Sequence, residues 1–216
     1  MTKSTLLARE IVKLKEKLLL LGGIVEERYR QAVQALSDVD AALANEVIAG
    51  DREIDLMEVE LEEECLKILA LHQPVASDLR FIITVLKVNN DLERIGDLAV
   101  NIADVVLLLS AKTMGVPFDF VEMATRTGTM FRDSLNALVD QNRTLALKVR
   151  ADDDAVDALN EKNYTTVEKA IAKQPDRTDC LIKSLNASKA FERIADLSTN
   201  IAEDVVYLVD GAIVRH

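Results

Sequence analysis

Turn-forming residues are scarce in this chain. Three Pro and seven Gly in 216 residues are too few for the many tight turns of a β-sandwich or barrel. Tryptophan is absent and aromatics reach only 4%, so any core must be built mainly from aliphatic side chains. Two cysteines, Cys65 and Cys180, give no disulfide framework and no C-x-x-C motif. Each falls in a helical pattern and reads as a small buried hydrophobe in a reducing compartment, with a Cys65–Cys180 bridge as the alternative. The two histidines, His72 at a helix end and His216 at the terminus, supply no Glu-x-x-His of the di-iron bundles. Positive charge is short as well: 26 Lys and Arg against 37 Asp and Glu give a net charge of −11. That balance argues against a nucleic acid or an anionic membrane as the direct partner, and favours cations or a basic protein. The leucine run within residues 13–21 is too short to span a bilayer and lacks a signal-peptide cleavage pattern. The reading is a cytoplasmic protein that meets a membrane only through protein partners.

What is present favours helix. Apolar residues make up 49% and charged residues 29%, dominated by Leu, Ala, Val, Glu and Asp, and no run alternates as a strand does. The sequence around Asn89–Asp104, NNDLERIGDLAVNIAD, returns at Ser188–Asp204 as SKAFERIADLSTNIAED, the copies standing 99 residues apart. Ala35-Leu36, Val47 and Asp55 have counterparts at Ala137-Leu138, Val149 and Asp157, and Gln73-Pro74 recurs as Gln174-Pro175. A repeat on this scale makes the chain a two-copy object.

The fold class expected is all-α: two tandem antiparallel three-helix bundles, residues 1–114 and 115–216, divided at Gly115-Val116-Pro117. In the first half a long helix covers 4–49, with Gly22-Gly23 as a kink. Gly50 ends it, and Asp51 caps a shorter helix over 52–72. A third helix runs from Pro74 to about Thr113. In the second half a long helix reaches about Arg150, Asp152–Asp154 cap a short one to Lys173, and the last runs from Pro175 to Val209. Each half is thus long, short, long, with every proline at a helix start.

The repeated motif carries the chemistry. Glu93, Asp97, Asn101 and Asp104 recur along one helix face within roughly 80° of the wheel. Ile95, Ala99, Ile102 and Val106 occupy the opposite face, so the acidic row points outward. No Lys or Arg within the row offsets its repulsion. The second copy supplies Glu192, Asp196, Asn200 and Glu203. Around a turn at Pro74, Asp55 falls level with Glu93 and Asp51 with Asp97. Around Pro175, Asp157 falls level with Glu192 and Asp153 with Asp196. Four level carboxylates on neighbouring helices are an all-oxygen arrangement for a divalent or trivalent metal, suiting Fe, Mn or Mg better than Zn. The competing readings are a solvated face for the motif acids and helix capping for Asp51 and Asp153.

The duplicated Glu-Arg-Ile-Gly-Asp-x-x-x-Asn-Ile pattern resembles the PhoU family, accessory regulators of phosphate-specific transport. Leu21-Gly22-Gly23-Ile24-Val25-Glu26, Val47-Ile48-Ala49-Gly50-Asp51 with Met57-Glu58-Val59, and His72-Gln73-Pro74 with Ala76-Ser77-Asp78-Leu79-Arg80 extend the resemblance along the chain. It implies tandem three-helix bundles, a homodimer, and metal clusters on E(D)-x-x-x-D motifs, here Glu93/Asp97 and Glu192/Asp196. It also implies a non-enzymatic negative regulator that contacts the phosphate ABC transporter's ATPase subunit and a phosphate-sensing histidine kinase. Ala195 replaces the motif's Gly96 in the second copy. Tyr164-Thr165 stand where the first half has Glu62-Glu63, so the second acidic set is the weaker. Two other readings stay open: a metal-binding or metal-storage protein, and an accessory protein of another phosphate permease.

Overall fold

The computed structural model describes residues 3–211, with side chains from Leu6 onward; His216 lies outside the described residues. Six helices carry the chain: α1 (Lys3–Asp38), α2 (Ala41–His72), α3 (Ala76–Ala111), α4 (Val121–Asp140), α5 (Arg143–Lys173) and α6 (Thr178–Asp210). The described residues contain no strand.

The helix boundaries correct the expected ones. The first helix ends at Asp38 rather than at residue 49, and Asp40, not Asp51, caps the second, its side chain accepting from the Ala42 and Leu43 amides. In the second half α4 stops at Asp140, and Asn142 caps α5 by accepting from the Leu145 amide. Asp51 and Asp152–Asp154 are therefore helix-interior residues. Both turns close alike: the Asp40 amide reaches the Ala35 carbonyl at 3.0 Å and the Asn142 amide the Ala137 carbonyl at 2.9 Å. Each helix ends in a left-handed residue, Val39 (φ 54°) and Gln141 (φ 49°), the usual way of satisfying terminal carbonyls but without the usual glycine. Gly50 breaks nothing because it has another task. A Cβ there would lie 2.4 Å from the Arg28 guanidinium, so its bareness lets Arg28 lie across α2.

Lengths also differ from the expected long–short–long pattern. Helix α2 has 32 residues and α5 has 31, whereas α4 is the short one at 20. Pro117 does not start a helix; it sits in the link between α3 and α4. Pro175 opens a 3-10 turn that leads into α6. Gly22-Gly23 lies within a continuous α1, and Gly22 faces the Leu135 side chain of α4, whose atoms would lie 3.2 Å from a Cβ.

The helices pack as α1, α2 and α3 together, α4, α5 and α6 together, with α3 against α6 and α1 against α4 joining the halves. The contacts order four helices in a row, α2–α3–α6–α5, backed by α1 and α4. Helices α3 and α6 run antiparallel: Lys87 meets Asp204 toward one end, and Leu108 and Lys183 flank one groove toward the other. Burial follows the apolar periodicity. Ile95, Ala99, Ile102 and Val106 on α3, and Phe191, Ile194, Ala195 and Val205 on α6, are 1% exposed or less. Aromatics, though few, tie the halves together. Tyr29 of α1 donates to the Ala124 carbonyl at 2.6 Å and meets the Phe191 ring edge-on at 6.2 Å, while Phe120 stacks on Phe191 at 6.4 Å. Cys65 and Cys180 are buried free thiols.

Candidate functional site

The motif rows project from α3 and α6 on the side away from α1 and α4. Asp97, Asn101, Asp104, Asp196 and Asn200 are exposed, and Glu93, Glu192 and Glu203 half-buried. On the flanking helices Asp51 and Asp153 are half-buried, and Asp55 and Asp157 exposed.

In both halves carboxylates of neighbouring helices come near one another, Asp51 with Asp97 and Asp55 with Glu93 in the first, Asp157 with Glu192 in the second. In the first, burial raises the Asp51 carboxyl above its ordinary range, and the charges of Asp55 and Asp97 raise it further. Burial likewise raises Glu93, helped by Asp97, Asp55 and Glu58 against the opposing Arg94. The cross-helix levels Asp51/Asp97 and Asp55/Glu93 are thus felt electrostatically. Gly96 allows the approach: a Cβ at this position would stand 3.0 Å from Ile54 Cδ1 and 3.6 Å from Asp51 Oδ1. In the second set burial raises Glu192, with Asp196 and Asp157 adding and Arg193 and Lys189 opposing. The second set is the more compensated, having two cations where the first has one.

These are hard oxygen donors whose mutual repulsion a bound cation would relieve, so the donor chemistry fits such a metal. As the side chains stand, no three His, Cys, Asp or Glu among the described residues gather closely enough to hold an ion. Other residues named from the sequence take different places. Glu203 is ion-paired with Arg150 at 3.4 Å. Asn101 and Asn200 line a groove between α3 and α6 of about 530 Å³, with Arg94, Asp97, Arg193 and Asp196. These six are three repeat-equivalent pairs, so the two motif copies share one pseudo-symmetric cleft.

A second cluster was not anticipated. Asp91 and Asp204 are each 8% exposed at the α3–α6 contact. Burial pushes Asp91 up to about 7, Asp204 adding to the rise while Arg94 and Lys87 oppose it. Lys87 bonds Asp204 at 2.6 Å and lies 5.7 Å over the Tyr207 ring. Comparing the repeats where they differ would have exposed this cluster, because Asp91 and Asp204 correspond to Ala190 and Val105.

The PhoU domain model matches residues 18–106 and 120–205. The chain belongs to the PhoU family. It is 37% identical over 210 residues to a Pseudomonas putida phosphate-specific transport system accessory protein PhoU homolog, covering 96% of this chain and 82% of that one. To the Aquifex aeolicus homolog of the same description it is 36% identical over 211 residues, covering 97% and 96%. The crystal structure of PhoU from Pseudomonas aeruginosa superposes with a TM-score of 0.91 at 36% identity, covering 95% of this chain and 99% of that one. The all-α fold of two PhoU repeats follows from these likenesses together with the helices described above. Each matched segment contains one copy of the Glu-Arg-Ile-(Gly/Ala)-Asp motif, whose Arg and Asp line the cleft.

Proposed function

We propose that this PhoU-family chain is a non-catalytic regulatory adaptor of phosphate-specific transport. In this reading it restrains the phosphate-starvation response by linking the phosphate ABC transporter's ATPase subunit to a phosphate-sensing histidine kinase, and it works as a homodimer on the cytoplasmic side. Its two halves, divided in the link after α3, act as separate bundles joined along α3 and α6 and where α1 meets α4. The observation carrying the reading is the near-complete match, 96–97% of this chain, to proteins described as accessory to phosphate-specific transport. The absence of a helix long and apolar enough to cross a membrane among the described residues fits docking onto membrane proteins rather than insertion.

Hard metal ions are assigned to the two acidic sets, Glu93, Asp97, Asp51 and Asp55 in one half and Glu192, Asp196, Asp157 and Asp153 in the other. The supporting observation is the raised titration of Asp51, Glu93 and Glu192 by burial and like charge. A metal there would neutralise repulsion and stiffen the α2–α3 and α5–α6 pairs. Signalling itself requires that the adaptor bind different states of transporter and kinase with different affinity, since equal affinity shifts no equilibrium.

The test is a phosphate-starvation reporter in cells lacking this gene and grown in abundant phosphate. The expected result is a reporter switched on, and restored to silence by the intact gene. A reporter that stays silent without the gene would overturn negative regulation.

A further inference from the structure

The repeat that makes α3 and α6 alike is broken at their two ends, and the break gathers three cations around a single acid in the lining at one end. At one end Lys87 of α3 is neutralised by Asp204 of α6 at 2.6 Å, with Asp91 buried beside the pair. The equivalent positions at the other end lie 99 residues away and carry different chemistry: Asn186 for Lys87, Ala190 for Asp91, and Val105 for Asp204. Two carboxylates have been exchanged for two small apolar side chains. In the same stretch two uncharged residues of α3, Thr84 and Asn90, become Lys183 and Lys189 on α6. The result is a groove of about 430 Å³ with Val105 and Ala190 in its lining. Its polar lining is Lys183, Asn186, Lys189 and Arg193 from α6 and Asn101 and Asp104 from α3. Three cations thus face one acid in a protein whose net charge is −11.

We infer that this groove is an oxyanion site, taking a tetrahedral dianion of the phosphate class. Lysine and arginine supply charge-assisted donors, and the two asparagine amides can donate to further oxygens. Arg193 is shared with the central cleft, which places such an anion beside the second acidic set. There its charge and that of a cation on Glu192 and Asp196 would influence one another. Lys183 also pairs with Asp179 at 3.3 Å, but both side chains are more than half exposed, where an ion pair is weak enough for an anion to compete. Asp104 is the one group in the lining that opposes an anion. The assignment does not depend on the regulatory reading, because it concerns binding alone.

Calorimetric titration of the full, chelator-treated chain with inorganic phosphate, and separately with sulfate, tests it. Saturable phosphate binding is expected, weakened about tenfold or more by Lys189→Ala, roughly the loss of one charge-assisted contact. The Lys183→Ala/Lys189→Ala pair should remove it, while Asp104→Asn should tighten it several-fold. All variants should keep the parent's helical circular dichroism. Lys162→Ala, on the exposed face of α5, serves as the control and should bind as the parent does. Equal binding of sulfate would support recognition of tetrahedral dianions generally, and preference for phosphate would support the narrower class. No saturable binding, parent-like affinity in the Lys183/Lys189 variant, or an equal loss in Lys162→Ala would each overturn the site.

Discussion

Replacing Asp91 by Asn should stabilise the protein at alkaline pH and do progressively less as the pH falls. The Asp91 carboxyl is 8% exposed, and its titration is moved from 3.8 to about 7. Burial is the main cause, followed by the charge of Asp204, and the cations Arg94 and Lys87 only partly offset them. An acid whose titration is raised by folding binds more protons in the native state than in the unfolded one. It therefore lowers stability as the pH rises from the unfolded to the folded value, and contributes no penalty below that window. Between pH 5 and the upper end near 7 the loss from Asp91 alone is about 3 kcal/mol at 1.36 kcal/mol per pH unit. Relaxation around the charge reduces this to about 2 kcal/mol. Urea unfolding of parent and Asp91→Asn at pH 5 and pH 8 isolates the effect, because the other raised acids contribute to both proteins. The difference between the two should move by about 2 kcal/mol in favour of Asn on going to pH 8. A difference that does not change with pH, or one that moves toward the parent, would refute the argument. The second outcome would mean that Lys87 and Arg94 stabilise the Asp91 carboxylate more than burial penalises it.

Further expectations concern the acidic face and the core. Glu93→Ala with Asp97→Ala should lower the metal content measured by elemental analysis while the helical circular dichroism persists; unchanged stoichiometry would remove the first metal site. In the presence of chelator the same variant should melt no lower than the parent, because it removes like-charge repulsion. Ile95→Asp and Ile194→Asp, both fully buried, should each cost about 3 kcal/mol or more by burying an unpaired charge. A parent-like melting temperature for either would show the face assignment to be wrong. Gly96→Leu should cost about 1–3 kcal/mol by pushing Ile54 and α2 away, and Gly96→Ala should cost less, since only the Ile54 side chain, 3.0 Å from the added Cβ, must give way. Equal melting of the Leu variant and the parent would show that α2 does not need the close approach.

The parts of the fold that were legible in the sequence are those that depend on periodicity. The burial of Ile95, Ala99 and Ile102 opposite Glu93 and Asp97 follows from spacing on one helix. The levels Asp51/Asp97 and Asp55/Glu93 follow from the position of one turn. The turns into α2 and α5 were not legible, for a definite reason. Their left-handed residues are Val39 and Gln141, where glycine is the usual choice, and the glycine nearest the first turn, Gly50, is spent on making room for Arg28. A glycine reports that a Cβ is unwelcome; it does not report whether the obstacle is backbone conformation or a neighbouring side chain.

The candidate site divides along the same line. Identity between the repeats singled out the motif acids of α3 and α6, because what both copies retain is the shared scaffold of the face. Identity is blind to whatever distinguishes the ends of α3 and α6. The Lys87–Asp204 pair and the Lys183, Lys189 and Arg193 groove occupy repeat-equivalent positions, and only the substitutions between copies separate them. A perfectly symmetric pair of helices would offer a partner or an anion two equivalent approaches along the cleft. Here one end sets a lysine between two acids and the other gathers three cations around one acid, so the antiparallel pair acquires a direction. In the adaptor role proposed above, that direction would let one face treat two different partners differently, although its motif row is nearly the same read from either end.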